Sequence, residues 1–266
     1  MLKVTGKMKY TDAHIHLSDE EYEGLTEELV NEAKSANVVA VVSNSMDLRT
    51  SLQNLKLAEQ YPRFVYAALG VHPWNTDSLT DDELQQTLEL IRKQHKNRNL
   101  VGIGEIGLDH KYAAAWEKQL RVFDEMLKLA EQLDLPVIIH SRGTTAQIVE
   151  MLPSYKIRKV LLHWFSSPIN ALAKVSEMGY FISEGAPTVY SNGIRDIVRK
   201  VPLTNLLTET DGPVLFTKAP FNGRRTTPAF IPVIVKAIAE IKKIAAETVA
   251  CQISANFENF FGLNLC

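Results

Sequence analysis

Short apolar segments alternate with longer amphipathic segments along the whole chain. The apolar segments are rich in Val, Ile and Leu, and their length suits buried strands. Eight of them are predicted to be strands, over residues 10–16, 38–43, 64–70, 100–104, 135–140, 159–163, 180–183 and 205–208. Because parallel strands need long crossover connections, eight strands separated by helical segments predict a parallel sheet.

The segments between the strands have the periodicity of helices. In EELVNEAKSA, Leu29, Ala33 and Ala36 recur at spacings of four and three, as in a helix that packs one face on a core. The segment AAWEKQLRVFDEMLKLAEQL has five apolar positions on one side, namely Trp116, Leu120, Phe123, Leu127 and Ala130. Helical patterns also close the chain, in IPVIVKAIAEIKK and AAETVACQISANFENFFG.

The number of repeated units favours one architecture. Eight strand–helix units in 266 residues match a closed (β/α)8 barrel, which commonly reaches about 250 residues as one domain. The predicted α/β fold is therefore a single TIM-type barrel over residues 1–266. An open, doubly wound sheet is the alternative, since periodicity alone does not separate the two arrangements.

Polar side chains collect at the carboxyl ends of the predicted strands. They are His14, His16, His72, Glu105, His140, His163, Glu209 and Asp211. In a parallel barrel all carboxyl ends of strands lie on one face, where active sites form. Residues almost two hundred positions apart in the chain are therefore expected to converge.

The chemistry of this set indicates a metal site. Imidazole and carboxylate ligands suit zinc, manganese, nickel or cobalt. Four histidines with two carboxylates exceed the needs of one tetrahedral ion, so we expect two ions, and Glu105 is suited to bridge them. Glu209 is either a ligand or an acceptor that orients a histidine. His95, in the charged segment RKQHKN, and His110, in a loop, are not expected to be ligands.

The overall charge limits the class of partner. A net charge of −2 and a pI near 6.4 exclude a protein that holds nucleic acid by bulk electrostatics, so any polyanion must meet local charge. The two cysteines, Cys251 and Cys266, suggest neither a disulfide framework nor a zinc knuckle. The start MLKVTGKMKY lacks an apolar signal core, and no apolar run reaches the length of a membrane span. We therefore expect a cytoplasmic protein without membrane association.

Seven motifs follow one another in a specific order along the chain. They are DAHIHL, GVHPW, GEIGLDHKY, IIHSR, LLHWF, TETDGPVL and ANFENFFGL. In this order they resemble the TatD-like family of metal-dependent hydrolases, which belongs to the amidohydrolase-like barrels. The resemblance extends from residue 12 to the end of the chain. GEIGLD and the ETD that precedes a proline are its specific signals, whereas HxH alone is not.

The resemblance implies a (β/α)8 barrel with two divalent metal ions, for which zinc, magnesium and manganese are the candidates. It assigns His14, His16 and Asp211 to one ion, His140 and His163 to the other, and Glu105 to a bridge between them. It also implies that Asp211 takes a proton from the nucleophilic water.

The resemblance further implies an activity. Family members are associated with metal-dependent DNase activity, including 3′-to-5′ exonuclease action on single strands. His72 and Arg142 match positions expected near the scissile phosphate. We therefore expect a monomeric phosphodiesterase that acts on single-stranded or end-frayed DNA. Lys218, Arg224 and Arg225 either contact this polyanion or only solvate a long loop.

Three positions depart from the usual family pattern. After the arginine of IIHSR the family usually has an acidic residue and then alanine, and this chain instead continues with Gly143. Gly212 stands where Ala, Ser or Cys is commoner, and Thr226 stands where an asparagine is usual. None of the three is a proposed ligand, so they bear on the substrate more than on hydrolysis.

Two other functions remain open. One is a hydrolase of small esters, lactones or amides that uses the same metal site. The other is a non-catalytic barrel that keeps metal for stability or serves as a protein partner. Trp74 and Trp164 follow strand ends, where they either stack on bases or pack the barrel rim.

Overall fold

One eight-stranded sheet forms the centre of the structure, a computed structural model that describes residues 8–265. Each strand pairs in parallel with the next strand along the chain. The strands are β1 (Tyr10–Ile15), β2 (Val38–Asn44), β3 (Val65–Leu69), β4 (Leu100–Asp109), β5 (Val137–Arg142), β6 (Val160–Leu162), β7 (Phe181–Glu184) and β8 (Leu206–Thr208). The sequential order confirms the predicted (β/α)8 barrel and excludes a doubly wound sheet, whose strand order reverses.

The seam between β8 and β1 brings the two ends of the sheet together. Thr208 Oγ1 donates to the Thr11 carbonyl over 2.8 Å. The backbone N–H and the hydroxyl of Thr210 donate to the carboxylate of the buried Asp12, over 3.1 and 2.5 Å. Side chains therefore help to join the first and last strands, and the barrel is nearly closed.

Helices follow the strands, as the sequence pattern predicts. They are α1 (Thr26–Ser35), α2 (Leu48–Gln60), α3 (Asp81–Gln94), α4 (Trp116–Leu133), α5 (Thr145–Met151), α6 (Ile169–Glu177), α7 (Pro187–Tyr190), α8 (Asn192–Lys200), α9 (Ile231–Lys242) and α10 (Ala246–Phe261). Short 3-10 helices span Glu20–Tyr22, Pro73–Asn75, His110–Ala115, Leu152–Ser154, Leu203–Asn205 and Pro228–Phe230. Within residues 8–265, no helix combines the length and apolar character that crossing a membrane requires.

The helix faces bury most of the predicted residues, while Ala36, Trp116 and Leu120 are half-buried against the core. On α1, Leu29 and Ala33 are buried, and on α4 the same holds for Phe123, Leu127 and Ala130. Capping fixes where some helices begin, because an N-cap side chain satisfies a backbone N–H that has no partner within the helix. In α3, for example, Thr80 and Glu83 form a reciprocal capping box.

Strand β4 is longer than the prediction, which ended it at residue 104. It continues to Asp109 and pairs residue by residue with β5, so that Gly107 lies beside His140 and Asp109 beside Arg142. Gly107 has a φ of +149°, and a Cβ there would lie 2.0 Å from the His140 carbonyl oxygen. Only glycine permits this close approach, which carries the β4 side chains further toward the carboxyl face.

The barrel interior is apolar below that face. Its buried side chains include small residues of the first three strands, such as Ala13, Ala40 and Ala68. Phe257 and Phe260 of α10 belong to the same apolar cluster. The larger core cluster contains buried residues from both the helices and the strands. The polar residues at the carboxyl ends of the strands therefore rest on a packed apolar base.

Candidate metal centre

Four of the predicted histidines converge on one buried carboxylate, that of Glu105. Its Oε2 atom lies 3.2 Å from Nε2 of both His14 and His16. Its Oε1 atom lies 2.7 Å from His163 Nε2 and 2.9 Å from His140 Nδ1. The two oxygens of Glu105 thus face two different groups of imidazoles.

Asp211 joins the first pair. Its Oδ1 atom lies 3.4 Å from His14 Nε2 and 3.7 Å from His16 Nε2, and the two Nε2 atoms are 3.2 Å apart. The backbone of Asp211 has a φ of +51°, a conformation that Asp tolerates better than most residues, and its N–H donates to the His14 carbonyl over 2.9 Å. The turn after β8 therefore aims this carboxylate at the histidines of β1.

The spacing of these donors fits a metal ion. Ligand atoms 2.0–2.1 Å from a tetrahedral zinc ion lie about 3.3 Å from one another. Five of the six separations among the donor atoms of His14, His16, Asp211 and Glu105 Oε2 are 3.2, 3.2, 3.2, 3.4 and 3.7 Å. Imidazole nitrogens and carboxylate oxygens are also suitable ligands for divalent transition metals. The residues present therefore fit the cation that the motifs imply.

Hydrogen bonds select the free nitrogen on two of the rings. His16 Nδ1 donates to the Asn44 carbonyl over 3.0 Å, which leaves Nε2 as the atom with a free lone pair. His140 Nε2 lies 2.9 Å from Asp109 Oδ2, and its Nδ1 atom then faces Glu105. A carboxylate behind a histidine is a common way to orient a metal ligand and to increase its basicity.

Asp109 was not predicted as a site residue. It is fully buried, and its Oδ2 atom also accepts from Trp74 Nε1 over 2.7 Å. Burial raises the pKa of Asp109, but the hydrogen bonds from His140 and Trp74 outweigh it and bring the pKa to about 2. Asp109 shares strand parity with Glu105, a signal that would have identified it had β4 been predicted to its full length.

Glu209 lies behind His163. Its Oε2 atom is 3.6 Å from His163 Nδ1 and accepts a hydrogen bond from Ser183 over 2.5 Å. Because His163 Nε2 faces Glu105, Glu209 stands on the opposite edge of the ring. This position matches the predicted alternative of an orienting acceptor, although Glu209 could also complete a group with His14 and His163 around a cation.

His72 lies within the cluster and is almost fully buried. Its Nε2 atom is 3.1 Å from Glu105 Oε1 and 3.3 Å from His140 Nδ1. Its Nδ1 atom accepts from the Trp74 N–H over 3.1 Å, which places the proton of the neutral ring on Nε2. Burial lowers the pKa of His72 to about 4, so the ring is neutral at pH 7.

The electrostatics of the cluster suit a bound cation. Burial alone would raise the pKa of Glu105, but the imidazoles, first those of His163 and His72, hold it well below its usual range. Burial would lower the pKa of His163, yet Glu105 and Glu209 raise it well above the usual value. Ionised carboxylates therefore favour positive charge on the histidine edges, which protons or metal ions can supply.

The remaining candidate cations differ in their surroundings. Arg142 is exposed at the end of β5, and within residues 8–265 its guanidinium has no ion pair or hydrogen bond. Arg225 is paired with Glu28 over 2.5 Å, and Arg224 donates to carbonyls of its own loop. Lys218 lies over the ring of Tyr190. Arg142 is thus the candidate whose charge is uncommitted.

The two other histidines lie apart from this cluster of contacts. His95 caps the end of α3, where Nδ1 lies 2.6 Å from the Arg92 carbonyl. The exposed His110 packs on Trp116, with ring centres 4.7 Å apart. Neither belongs to a group of residues able to hold a metal ion.

Two of the three departures from the usual pattern, the glycines, have structural reasons. Gly143 has a φ of +73°, which a residue with a side chain adopts only with strain. A Cβ at Gly212 would lie 2.0 Å from the hydroxyl of the buried Tyr22. That hydroxyl donates to the Thr226 carbonyl over 2.7 Å. The glycine at 212 therefore makes room for a tyrosine that the loop around residue 226 holds in place.

Comparisons with known proteins agree with the site and the fold. The model of the TatD related DNase family matches residues 11–262. The chain is 31% identical over 262 residues to an uncharacterized metal-dependent hydrolase of Bacillus subtilis, YabD, covering 95% of this chain and 99% of YabD. It is 32% identical over 249 residues to the human deoxyribonuclease TATDN3, covering 90% and 89% of the two chains.

A solved structure shows the same architecture. The crystal structure of YjjV, a TatD homologue from Escherichia coli, superimposes with a TM-score of 0.90 at 29% identity and covers 97% of this chain and 99% of YjjV. The family match, the barrel and the buried histidine–carboxylate cluster lead to one conclusion. The chain belongs to the TatD family and is a metal-dependent hydrolase.

Proposed function

We propose that this protein is a deoxyribonuclease that hydrolyses phosphodiester bonds at a site for two divalent metal ions. The observation that supports this most is the placement of Glu105, whose two oxygens face two separate groups of donors. In the proposal His14, His16 and Asp211 hold one ion, His140 and His163 hold the other, and Glu105 bridges them. When bound, two adjacent divalent ions, of zinc, magnesium or manganese, would activate water and stabilise the charge that develops on phosphoryl oxygens.

Asp211 is the proposed proton acceptor. Burial raises its pKa, but the hydrogen bond and charge of His14 outweigh burial, so the pKa of Asp211 is lowered. The carboxylate is therefore ionised at neutral pH and able to take a proton from the attacking water. Its backbone contact with the His14 carbonyl keeps it in place during this transfer.

His72 and Arg142 are the proposed substrate contacts. The Nε2–H of His72 is a neutral donor beside Glu105, where an oxygen of the scissile phosphate would lie. Arg142 ends β5 on the same strand face as His140, two residues away, and its guanidinium can offer two parallel hydrogen bonds to phosphate. Few other uncommitted cations flank the site, so binding depends on contacts close to the metals.

The proposed substrate is single-stranded or end-frayed DNA, shortened from its 3′ end by a monomeric, cytoplasmic enzyme whose single domain spans residues 1–266. The name of the human relative TATDN3, a deoxyribonuclease, supports DNA. The small number of free cations supports action at an end, because a long duplex needs many phosphate contacts. Single strands also avoid the cost of unpairing.

The test is a time course with a 5′-labelled oligonucleotide and magnesium, manganese or zinc at several salt concentrations. We expect a ladder that shortens by one nucleotide at a time, with two or three phosphate contacts and a salt slope of about −0.7 for each. Cuts in a closed circular DNA at a similar rate would contradict action at an end.

A hydrolase of small esters, lactones or amides is the second candidate. The observation in its favour is that Arg225, one of the cations that could have contacted a polyanion, is paired with Glu28 and Glu32. Rapid hydrolysis of p-nitrophenyl acetate without cleavage of any oligonucleotide would assign this function and reject the deoxyribonuclease.

A further inference from the structure

Two aromatic side chains are exposed beside the metal centre. Trp74 follows β3 and is 42% exposed, and Tyr112 follows β4 and is 43% exposed. Among the large hydrophobic side chains of residues 8–265 that are exposed, these two alone are aromatic. Their ring centres lie 5.1 Å apart with an interplanar angle of 40°. Two neighbouring exposed rings form an apolar patch to which a flat ligand can bind.

A buried polar network holds both rings. Trp74 Nε1 donates to Asp109 Oδ2 over 2.7 Å, and the Lys111 N–H donates to Asp109 Oδ1 over 2.8 Å. The fully buried Gln119 of α4 accepts from the Asp109 N–H over 2.9 Å and donates to the Tyr112 carbonyl over 2.8 Å. The Trp74 ring and the backbone at Tyr112 are therefore hydrogen-bonded to buried groups before any ligand arrives, which lowers the entropy cost of binding.

Trp74 lies directly beside His140, a proposed ligand of the second ion, and beside His72, a proposed substrate contact. The Trp74 ring centre is 4.8 Å from that of His72 and 6.0 Å from that of His140. The Asp109 oxygen that accepts from Trp74 also accepts from His140. A planar group stacked on these rings would thus belong to the same nucleotide as a phosphate bound at the metal centre.

Trp164, the other tryptophan at a strand end, has different surroundings. It is only partly exposed, packs against the core, and its ring lies 5.9 Å from the buried Phe216. Its backbone has a φ of +38°, which a bulky residue adopts only when the surrounding structure imposes it. Trp164 therefore packs the rim and leaves Trp74 as the tryptophan available for stacking.

We propose that Trp74 and Tyr112 form a stacking subsite for the nucleobase of the nucleotide whose phosphate is cleaved. This inference rests on the proposed function and specifies how the site recognises its substrate. Every nucleobase has an aromatic face, so the subsite accepts all four bases and favours purines, which have the larger rings. The subsite distinguishes nucleotides from phosphate esters that carry no aromatic group.

The first test compares two oligonucleotides that differ only at the 3′-terminal nucleotide, adenine in one and an abasic tetrahydrofuran in the other. We expect the wild type to cleave the adenine substrate with a kcat/KM about tenfold higher, from one stacked base. Tyr112→Ala should reduce this ratio to about threefold, and Trp74→Ala/Tyr112→Ala to about one. Equal cleavage of both substrates by the wild type would reject the subsite.

Three control variants make the comparison specific. Tyr112→Phe keeps the ring and should keep the ratio. Leu215→Ala removes a side chain that is 53% exposed in the segment after β8, and it should also keep the ratio. Trp74→Phe keeps a ring but loses the hydrogen bond to Asp109, so its metal content shows whether a loss of activity comes from His140 or from stacking.

A binding measurement separates the subsite from the nuclease activity. Calorimetric titration of the purified protein with dAMP and with 2-deoxyribose 5-phosphate should show about tenfold tighter binding of dAMP, with a smaller ratio in Tyr112→Ala. That result without cleavage of any oligonucleotide would keep the subsite and reject the deoxyribonuclease. Cleavage of oligonucleotides with equal binding of the two ligands would keep the nuclease and reject the subsite.

Discussion

The two oxygens of Glu105 face two groups of residues that the fold holds in different ways. The first group, which we name the seam side, is His14, His16 and Asp211. Its orientation depends on backbone atoms, because His16 donates to the Asn44 carbonyl over 3.0 Å and the Asp211 N–H donates to the His14 carbonyl over 2.9 Å. The geometry of the seam side therefore depends on the backbone of the barrel itself.

The second group, the rim side, is His72, His140 and His163. Carboxylate side chains stand behind it, with Asp109 2.9 Å from His140 and Glu209 3.6 Å from His163. Asp109 also leads outward to the exposed Trp74. Side chains can change without a change of fold, so substitutions on the rim side can alter metal affinity while the barrel is kept. The following predictions separate the two sides.

The largest effect is expected for Glu105→Ala, because this residue belongs to both sides. We expect loss of both ions and at least about a thousandfold loss of activity, since the metals stabilise the transition state by several kcal/mol. Metal analysis and the oligonucleotide assay measure this, and circular dichroism should show a folded barrel. A variant that keeps both ions and turns over normally would disprove the bridge.

Asp109→Asn should affect the rim side alone. Loss of the carboxylate behind His140 should weaken one ion about 10–100-fold and leave the seam-side ion bound. Titration with zinc, followed by metal analysis at limiting concentrations, distinguishes one bound ion from two. Glu209→Gln is the matched control and should have a smaller effect, because its 3.6 Å contact is longer than a hydrogen bond. Equal loss of both ions in Asp109→Asn would mean that the sides are not independent.

The strand-end residues were predictable from the sequence, whereas Asp109 was not. A parallel barrel places all carboxyl ends on one face, so recognising the strands was enough to predict that His14 and His140 lie close together. The length of β4 depends instead on the contact of Gly107 with the His140 carbonyl, which is a tertiary contact that periodicity does not contain. For the same reason, sequence patterns could not indicate that Arg225 is paired with α1.

The departures from the family pattern show the same limit. Gly212 and Thr226 are far from Tyr22 in sequence, and only the fold shows that all three share one space. Both tryptophans follow a strand-end histidine in the chain, yet Trp74 is exposed whereas Trp164 packs against the core. The sequence pattern does not contain this difference either. Patterns along the chain located the metal centre, but contacts between its loops determine what surrounds it.

The pH dependence of stability is the third prediction. The pKa of His163 is raised well above its usual value by Glu105 and Glu209 against the effect of burial, and burial raises the pKa of Glu184 well above its usual range. Raised folded-state pKa values give stability that is lost as pH rises. For the metal-free protein we therefore expect Tm to fall from pH 6.5 upward, by about 2–4 °C for each kcal/mol lost.

Metal should reverse this trend, because ions bind the deprotonated histidines. Thermal unfolding with chelator and with zinc, from pH 6.5 to pH 9, measures both curves. Below pH 6.5 the effects oppose one another: the raised pKa values of Glu184 and Asp12 still favour the folded state as pH falls, whereas the lowered pKa of His72 disfavours it because the unfolded chain takes up a proton. A Tm of the metal-free protein that rises between pH 6.5 and pH 9 would contradict the assigned shifts.

The smallest effect is expected beside the seam side, at Gly212. Gly212→Ala places a methyl group 2.0 Å from the hydroxyl of Tyr22, which is buried and fixed by Thr226, so it should cost about 1–3 kcal/mol of unfolding free energy. Gly193→Ala is the control, since a Cβ there meets nothing within 4 Å. Tyr22→Phe removes the clashing oxygen, so the double variant should lose less stability than the sum of the single losses. If the losses of unfolding free energy measured in urea are strictly additive, the hydroxyl of Tyr22 is not the reason for a glycine at position 212.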